Sequence, residues 1–290
     1  MNTNHRFTSH AAMLSAVMAL CAAPAMAAQS SAYAVSADLS TDGNSHVQLA
    51  AQLPTSGATA LGQSYDKPLR ATLLSKTVRL LPSQLRGPML TVVEHKVATD
   101  AAGSNGVDSL NTSGTSSAAT GVVALTLYPP LPILPPTPIP GPVSPVTDDA
   151  NSASITALPP LGHSVLNVQF SKLKASATYD QIFPGPARRN GSTSFAKLTL
   201  SGPLIGSKAL IFSGDIQPNT VVVNTPTVKI TLNAQTIPQQ PVCRPGELCP
   251  LYRVLETVET KAVLIELTNA SVLGHQVSGE IVIGDAEAGQ

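Results

Sequence analysis

From Val228 to Gln235 apolar and polar residues change places at every step: Val228, Ile230, Leu232 and Ala234 alternate with Lys229, Thr231, Asn233 and Gln235. A period of two belongs to a strand with one buried face. Leu251 to Leu267 answers it with a break, because Tyr252, Val254 and Val258 hold one parity while Val263, Ile265 and Leu267 hold the other. The phase therefore changes near Glu259, Thr260 and Lys261, where a β-bulge or tight turn is expected. A closing strand, Gly279 to Ala286, brings Ile281 and Ile283 to one face.

The same signal recurs upstream, in Ala32–Leu39, His46–Leu53, Arg70–Leu81, Met89–Val97, Gly121–Tyr128, Ser164–Ala177, Thr193–Leu200, Lys208–Phe212 and Val221–Val223. Pro, Gly, Asn and Ser separate these runs, and no window of eleven or more residues keeps helical spacing free of Pro and Gly. Short strands at turn-length intervals predict an all-β fold, an antiparallel sandwich or barrel-like domain. Thr99 to Ala119, rich in Gly, Ser, Asn and Ala, reads instead as a mobile or exposed loop.

Residues 1–27 read as a secretory signal peptide. Arg6 is the lone charge ahead of an apolar run, Ala11 to Ala23, and Ala25-Met26-Ala27 supplies a small-residue site for cleavage between Ala27 and Ala28. The run is too short to span a bilayer, and Pro24 interrupts it. Leu20 before Cys21 fits a lipoprotein signal poorly. The expected location is therefore outside the cytoplasm: secreted, periplasmic or at the cell surface, with no transmembrane segment in the mature chain.

Residues 28–290, beyond the leader, read as a single β-rich domain with a Pro-rich segment at 128–146. The alternative is two β-units, 28–127 and 147–290. Nine prolines between Tyr128 and Pro145 favour polyproline II and remove ladder donors. Leu131, Ile133, Leu134 and Ile139 are too apolar for a purely solvated linker, which favours a loop packed on the domain. Cys243 and Cys249 lie in a Pro- and Gly-rich loop, and in an exported chain a C-x5-C pair without a neighbouring His suits a disulfide better than zinc. Closing that ring would stabilise the loop by roughly 2 kcal/mol.

Charge narrows the partners. Removing the leader takes away one Arg and no acid, leaving a net charge near −1, and no five-residue window is dominated by Lys and Arg. Ala187-Arg188-Arg189-Asn190 is the densest basic spot, so a nucleic-acid partner is not expected.

Chemistry is sparse. Gly162-His163-Ser164 has the first Gly and the Ser of a nucleophile elbow, but neither its closing Gly nor its strand-turn-helix setting. Glu256, Glu259 and Glu266 lie in one region, with Asp148 and Asp149 adjacent elsewhere, yet solvated outward faces explain them better than a carboxylate pair. His46, His95, His163 and His275 are far apart, and no metal-binding motif is present. Asp38 to Asn44 and Asp100 to Asp108 carry oxygen ligands without the spacing of a calcium loop. With no Trp and 3 % aromatic residues, the stacking platform of a sugar cleft is missing. No catalytic, metal or cofactor residues are assigned, and no cofactor is expected.

Asn219-Thr220, the strand Val228 to Gln235, Thr257-Val258 with Val263 to Leu267, and the ending Ser278 to Gly289 come in an order that resembles the choice-of-anchor P family of exported bacterial proteins. Ser31 to Ala37 and Asn151 to Ile155 are also similar to that family. Ala234, Glu259 and Ala262 depart from its pattern. The resemblance implies a secreted β-rich domain of unknown role and carries over no catalytic residue. The expected function is that of a non-enzymatic envelope, surface or matrix component, or of a binder of one. Two alternatives stay open: an extracytoplasmic hydrolase using His163, Ser164 or the Glu256 region, and a β-barrel carrier of a small apolar ligand.

Overall fold

The computed structural model describes residues 27–43, 45–49, 51–81, 87–126, 164–182, 186–237, 257–272 and 274–289. Residues 1–26, the Pro-rich segment 128–146, Cys243, Cys249, His163 and Glu256 lie outside them. Among the described residues the chain is all strand and turn, with no helix. The strands are β1 (Ala28–Thr41), β2 (Ser45–Leu49), β3 (Thr55–Thr59), β4 (Gln63–Arg79), β5 (Met89–Asn105), β6 (Ser109–Thr126), β7 (Ser164–Ile182), β8 (Arg188–Ser201), β9 (Leu210–Ile216), β10 (Thr220–Asn224), β11 (Val228–Thr236), β12 (Thr257–Val272) and β13 (His275–Gly289).

They form two antiparallel sheets stacked face to face. One is a six-stranded meander in chain order, β4 to β9; the other is seven-stranded, β10-β11-β12-β13-β1-β2, with β3 also paired to β1. β1 lies along β13 from Gln29↔Gly289 to Thr41↔Val277, and its other edge is shared by β3 and β2. The neighbours β6 and β7 come from the two sides of the Pro-rich segment, and both sheets mix strands from before and after it.

A crease crosses both sheets. In β5 the buried positions run Val92, Glu94 and then Val97, Thr99; in β7 they run Val168, Phe170 and then Leu173, Ala175. The parity changes at one level in each strand. Lys96 (φ 50) and Lys172 (φ 48) take left-handed backbone there, and in the other sheet Asn233 (φ 50) and Gly284 (φ 64) do the same. The register sets Lys96 and Lys172 on either side of Ala119, and Asn233 and Gly284 on either side of Ala262. One left-handed residue on alternate strands re-aims the following side chains without breaking the ladder.

This corrects the expectation for β12. Its phase changes at Ala262–Val263, needing neither bulge nor turn, because the register to β11 holds from Leu232↔Val263 to Ala234↔Lys261.

The crease divides the interior into two kinds of packing. On one side Leu39, Leu90, Leu125, Leu166, Leu200, Ile230, Ile265 and Ile281 interdigitate as an ordinary apolar core. On the other, small residues gather where β1 and β13 face β5, β6 and β7: Ala28, Ala32, Ala286 and Ala288 lie opposite Ala101, Thr112, Gly114, Ser116, Ala175 and Ala177, all buried, while Leu110, Tyr179 and Phe195 supply the larger core side chains on that side. A Cβ added at Gly114 would strike the carbonyl oxygens of Ser31 and Glu287, so here the sheets approach backbone to backbone. The Tyr65 ring fills the room left by Gly57 and Gly103, and its hydroxyl shares a 2.7 Å hydrogen bond with Ser30 Oγ.

The polar stretch Thr99 to Ala119 is therefore not an exposed loop. It supplies the ends of β5 and β6, with Thr99, Ala101, Leu110, Thr112, Ser116 and Ala118 buried and only the turn around Gly106 between them. Ser, Thr and Ala occur there because larger side chains would hold the sheets apart.

Polar links fasten the sheet edges. Gln235 Nε2 donates to the Gly191 carbonyl across the gap (2.7 Å) and to Asn233 Oδ1 (2.9 Å), while Asn233 Nδ2 donates to the Ile216 carbonyl (2.6 Å). Gln235→Ala leaves the Gly191 carbonyl without that donor and is expected to cost about 1–2 kcal/mol. Thermal unfolding followed by circular dichroism should show a midpoint lowered by a few degrees; an unchanged midpoint would mean that the link contributes nothing.

Candidate functional site

The residues that carry chemistry are spread over separate surfaces. Glu259 and Glu266 both point away from the core on β12, seven residues or about 23 Å apart along the strand. Glu266 accepts from Lys229 Nζ at 2.7 Å, and Glu259 lies 3.1 Å from Lys261 Nζ. Ser164 opens β7, half-buried. His95 is exposed on the outer face of the six-stranded sheet, on the other side of the molecule from β12.

Two His–acid pairs sit at the end of the sandwich nearest the β1–β2 turn. His46 Nε2 contacts Asp38 Oδ1 at 2.7 Å, with both side chains largely in solvent. His275 Nδ1 contacts Asp42 Oδ2 at 2.7 Å, and Asp42 Oδ1 accepts from the Gln276 amide at 2.8 Å. That amide bond, and then His275, hold the Asp42 carboxyl below the usual range. The contacts pin the β1–β2 turn to the start of β13. Ser40 is the register partner of His46, but its hydroxyl donates to the Ser278 carbonyl rather than to the imidazole.

The densest polar group lies on the outer face of the seven-stranded sheet, where Asp285 opposes Lys261 and Tyr33, and Glu287 opposes Glu259 and Ser31. Ser31 Oγ donates to Glu287 Oε2 at 2.7 Å. Asp285 Oδ1 is shut off from solvent without a partner, and burial, then the charge of Glu259, pushes its carboxyl up to about 7. Such a carboxyl can hold a proton near neutral pH. It stands beside the crease at Gly284, with Lys261 paired to Glu259 and Glu287 accepting from Ser31.

Glu94 is the other perturbed acid, and no motif pointed to it. It faces the core between Leu74 and Gly121, beside the Phe170 ring that occupies the space of the missing Gly121 side chain. It is 1 % exposed, Oε2 has no partner, and burial raises its carboxyl to about 8. Its one sequence signal was a charge at the parity of Leu90 and Val92.

Among the described residues, no three His, Cys, Asp or Glu side chains are grouped to hold a metal, and no helix is long and apolar enough to cross a membrane. No protein-family model matches the chain, and no curated protein matches it.

Proposed function

We propose that the protein is an exported, non-enzymatic β-domain that serves as an envelope, surface or matrix component, or binds one. One observation carries this reading: among the described residues the inner faces are joined by one apolar core, and the side chains able to do acid–base or nucleophilic chemistry lie on separate surfaces or, as with Glu94, are buried away from solvent. Function then falls to the broad outer surfaces. The leader at 1–27 supports export, and β1 starts at Ala28, the residue that cleavage would make the new N-terminus. The similarity to the choice-of-anchor P family points to the same class of secreted β-rich domain.

The test is retention. Purified residues 28–290 should bind isolated envelope or extracellular-matrix fractions well above a β-sandwich control of equal size. Absence of retention on every fraction, or a hydrolase activity that Ser164→Ala abolishes, would overturn the reading.

A further inference from the structure

The outer face of the six-stranded sheet carries basic side chains that no single stretch of sequence brings together. At the crease two consecutive residues of each strand point outward, and they place His95 and Lys96 on β5, Lys172 on β7 and Lys197 on β8. One row further, Arg70 opposes Ala98, and Lys174 stands between Ser117 and Ser194. All six side chains are exposed. Lys96, Lys172, Lys174 and Lys197 form no ion pair among the described residues. Three acids share this face: Asp100, two residues along β5 from Ala98, lies near Asp66 and feels the charge of Arg70, Asp180 opposes Arg188, and Asp215, on the edge strand β9, opposes Ser194. The cations without an acidic neighbour are therefore those of the crease itself, Lys96, Lys172 and Lys197.

Between the basic residues of β5 and β7 runs β6, whose outward residues here are Ser117, Ala119 and Thr120. Adjacent strands are about 4.8 Å apart, so the β6 floor is flanked by cations about 10 Å from one another. The row from β4 to β8 extends about 19 Å across the sheet. Unpaired ammonium groups this close repel one another and gain by taking up a shared counter-anion.

We propose that this crease is the binding track for an extended acidic polysaccharide, one bearing carboxylates along its chain. The proposal rests on the envelope or matrix reading above and names its ligand. Three features favour this occupant. The row is long and narrow, as a linear chain requires. Ser117, Thr120, Ser171 and Ser194 alternate with the cations and can hydrogen-bond sugar hydroxyls. Apart from the His95 imidazole, the face has no aromatic side chain in these rows, so it lacks both the base-stacking platform of a single-strand nucleic-acid site and the aromatic anchors of a membrane-surface protein. Charge here takes the place of the ring stacking that a neutral-sugar site would use.

The test uses residues 28–290 and four probes: polygalacturonate, dextran of equal length, phosphatidylglycerol vesicles and an oligothymidylate. Biolayer interferometry should show polygalacturonate binding that weakens steeply with salt, with little binding of dextran. Lys172→Gln with Lys174→Gln should weaken polygalacturonate binding about tenfold and flatten its salt dependence. Lys229→Gln, on the opposite sheet, should change neither. Equal binding of dextran, preference for vesicles or oligonucleotide, or indifference to the Lys172/Lys174 pair at unchanged thermal midpoint would overturn the proposal. Retention on an envelope fraction without polygalacturonate binding would sink this inference alone and leave the broader reading standing.

Discussion

The wild-type protein is expected to lose stability steadily as pH rises from about 5 to about 8.5, and Glu94→Gln to lose much less. The Glu94 carboxyl moves from 4.5 in the unfolded chain to about 8 in the fold, because burial disfavours its ionised form and Oε2 has no partner. A carboxyl raised in this way binds its proton more tightly when folded, so the native state is favoured at low pH and the advantage is lost as pH climbs through the window between the two values. The full loss is on the order of 4–5 kcal/mol, a large share of the stability of an ordinary domain. Asp285, raised from 3.8 to about 7, adds a contribution of the same sign. Glu94→Gln keeps the shape and removes the ionisation, so urea unfolding should find the two proteins similar near pH 5 and the variant several kcal/mol more stable at pH 8.5. Parallel profiles for the two would show that Glu94 is solvated in the folded state.

The second large effect is expected at Gly114. Replacing a strand glycine with alanine ordinarily helps by roughly 0.5–1 kcal/mol, since glycine costs more backbone entropy on folding. Here the sign reverses. The new methyl would meet the backbone of Ser31 and Glu287, and those atoms belong to β1 and β13, each bonded to neighbours on both sides. Neither strand can withdraw alone, so the sheets must part locally and strip contacts from the alanines around them. Gly114→Ala should cost about 3 kcal/mol or more, and Gly114→Val should abolish the cooperative transition in a denaturant titration. Gly43→Ala is the comparison. It has open space but a φ of +70, so it should cost only about 1–2 kcal/mol. Equal effects at the two positions would mean that the sheets yield easily at Gly114.

The strands were legible wherever one face carried Val, Ile or Leu. Val228 to Gln235, Met89 to Val97 and Ser164 to Ala177 all fall within observed strands, since alternation of large apolar side chains records burial directly. Thr99 to Ala119 was misread because its buried side chains are as small and polar as those of loops; what distinguishes them is the other sheet close above, which is not local information. The change of phase in β12 was visible, whereas its cause lies on neighbouring strands, at Asn233 and Gly284. The basic track was invisible for a related reason: Arg70, Lys96, Lys172 and Lys197 lie on four strands and meet only through register. Glu94 was hidden by its type, since a lone glutamate in a strand is usually solvated.

β1 and β13 come from opposite ends of the described chain, and contacts such as Ser31 with Glu287 join residues 256 positions apart. The meander from β4 to β9 pairs each strand with the next and can assemble as it is made, but the first strand waits for the last before its longest ladder exists. Closing so distant a contact is slow relative to hairpin formation. Until the last strand is made the opening one can therefore pair only with β2 and β3, and a chain stopped before residue 275 leaves a gap between β1 and β12 that no other described strand fills.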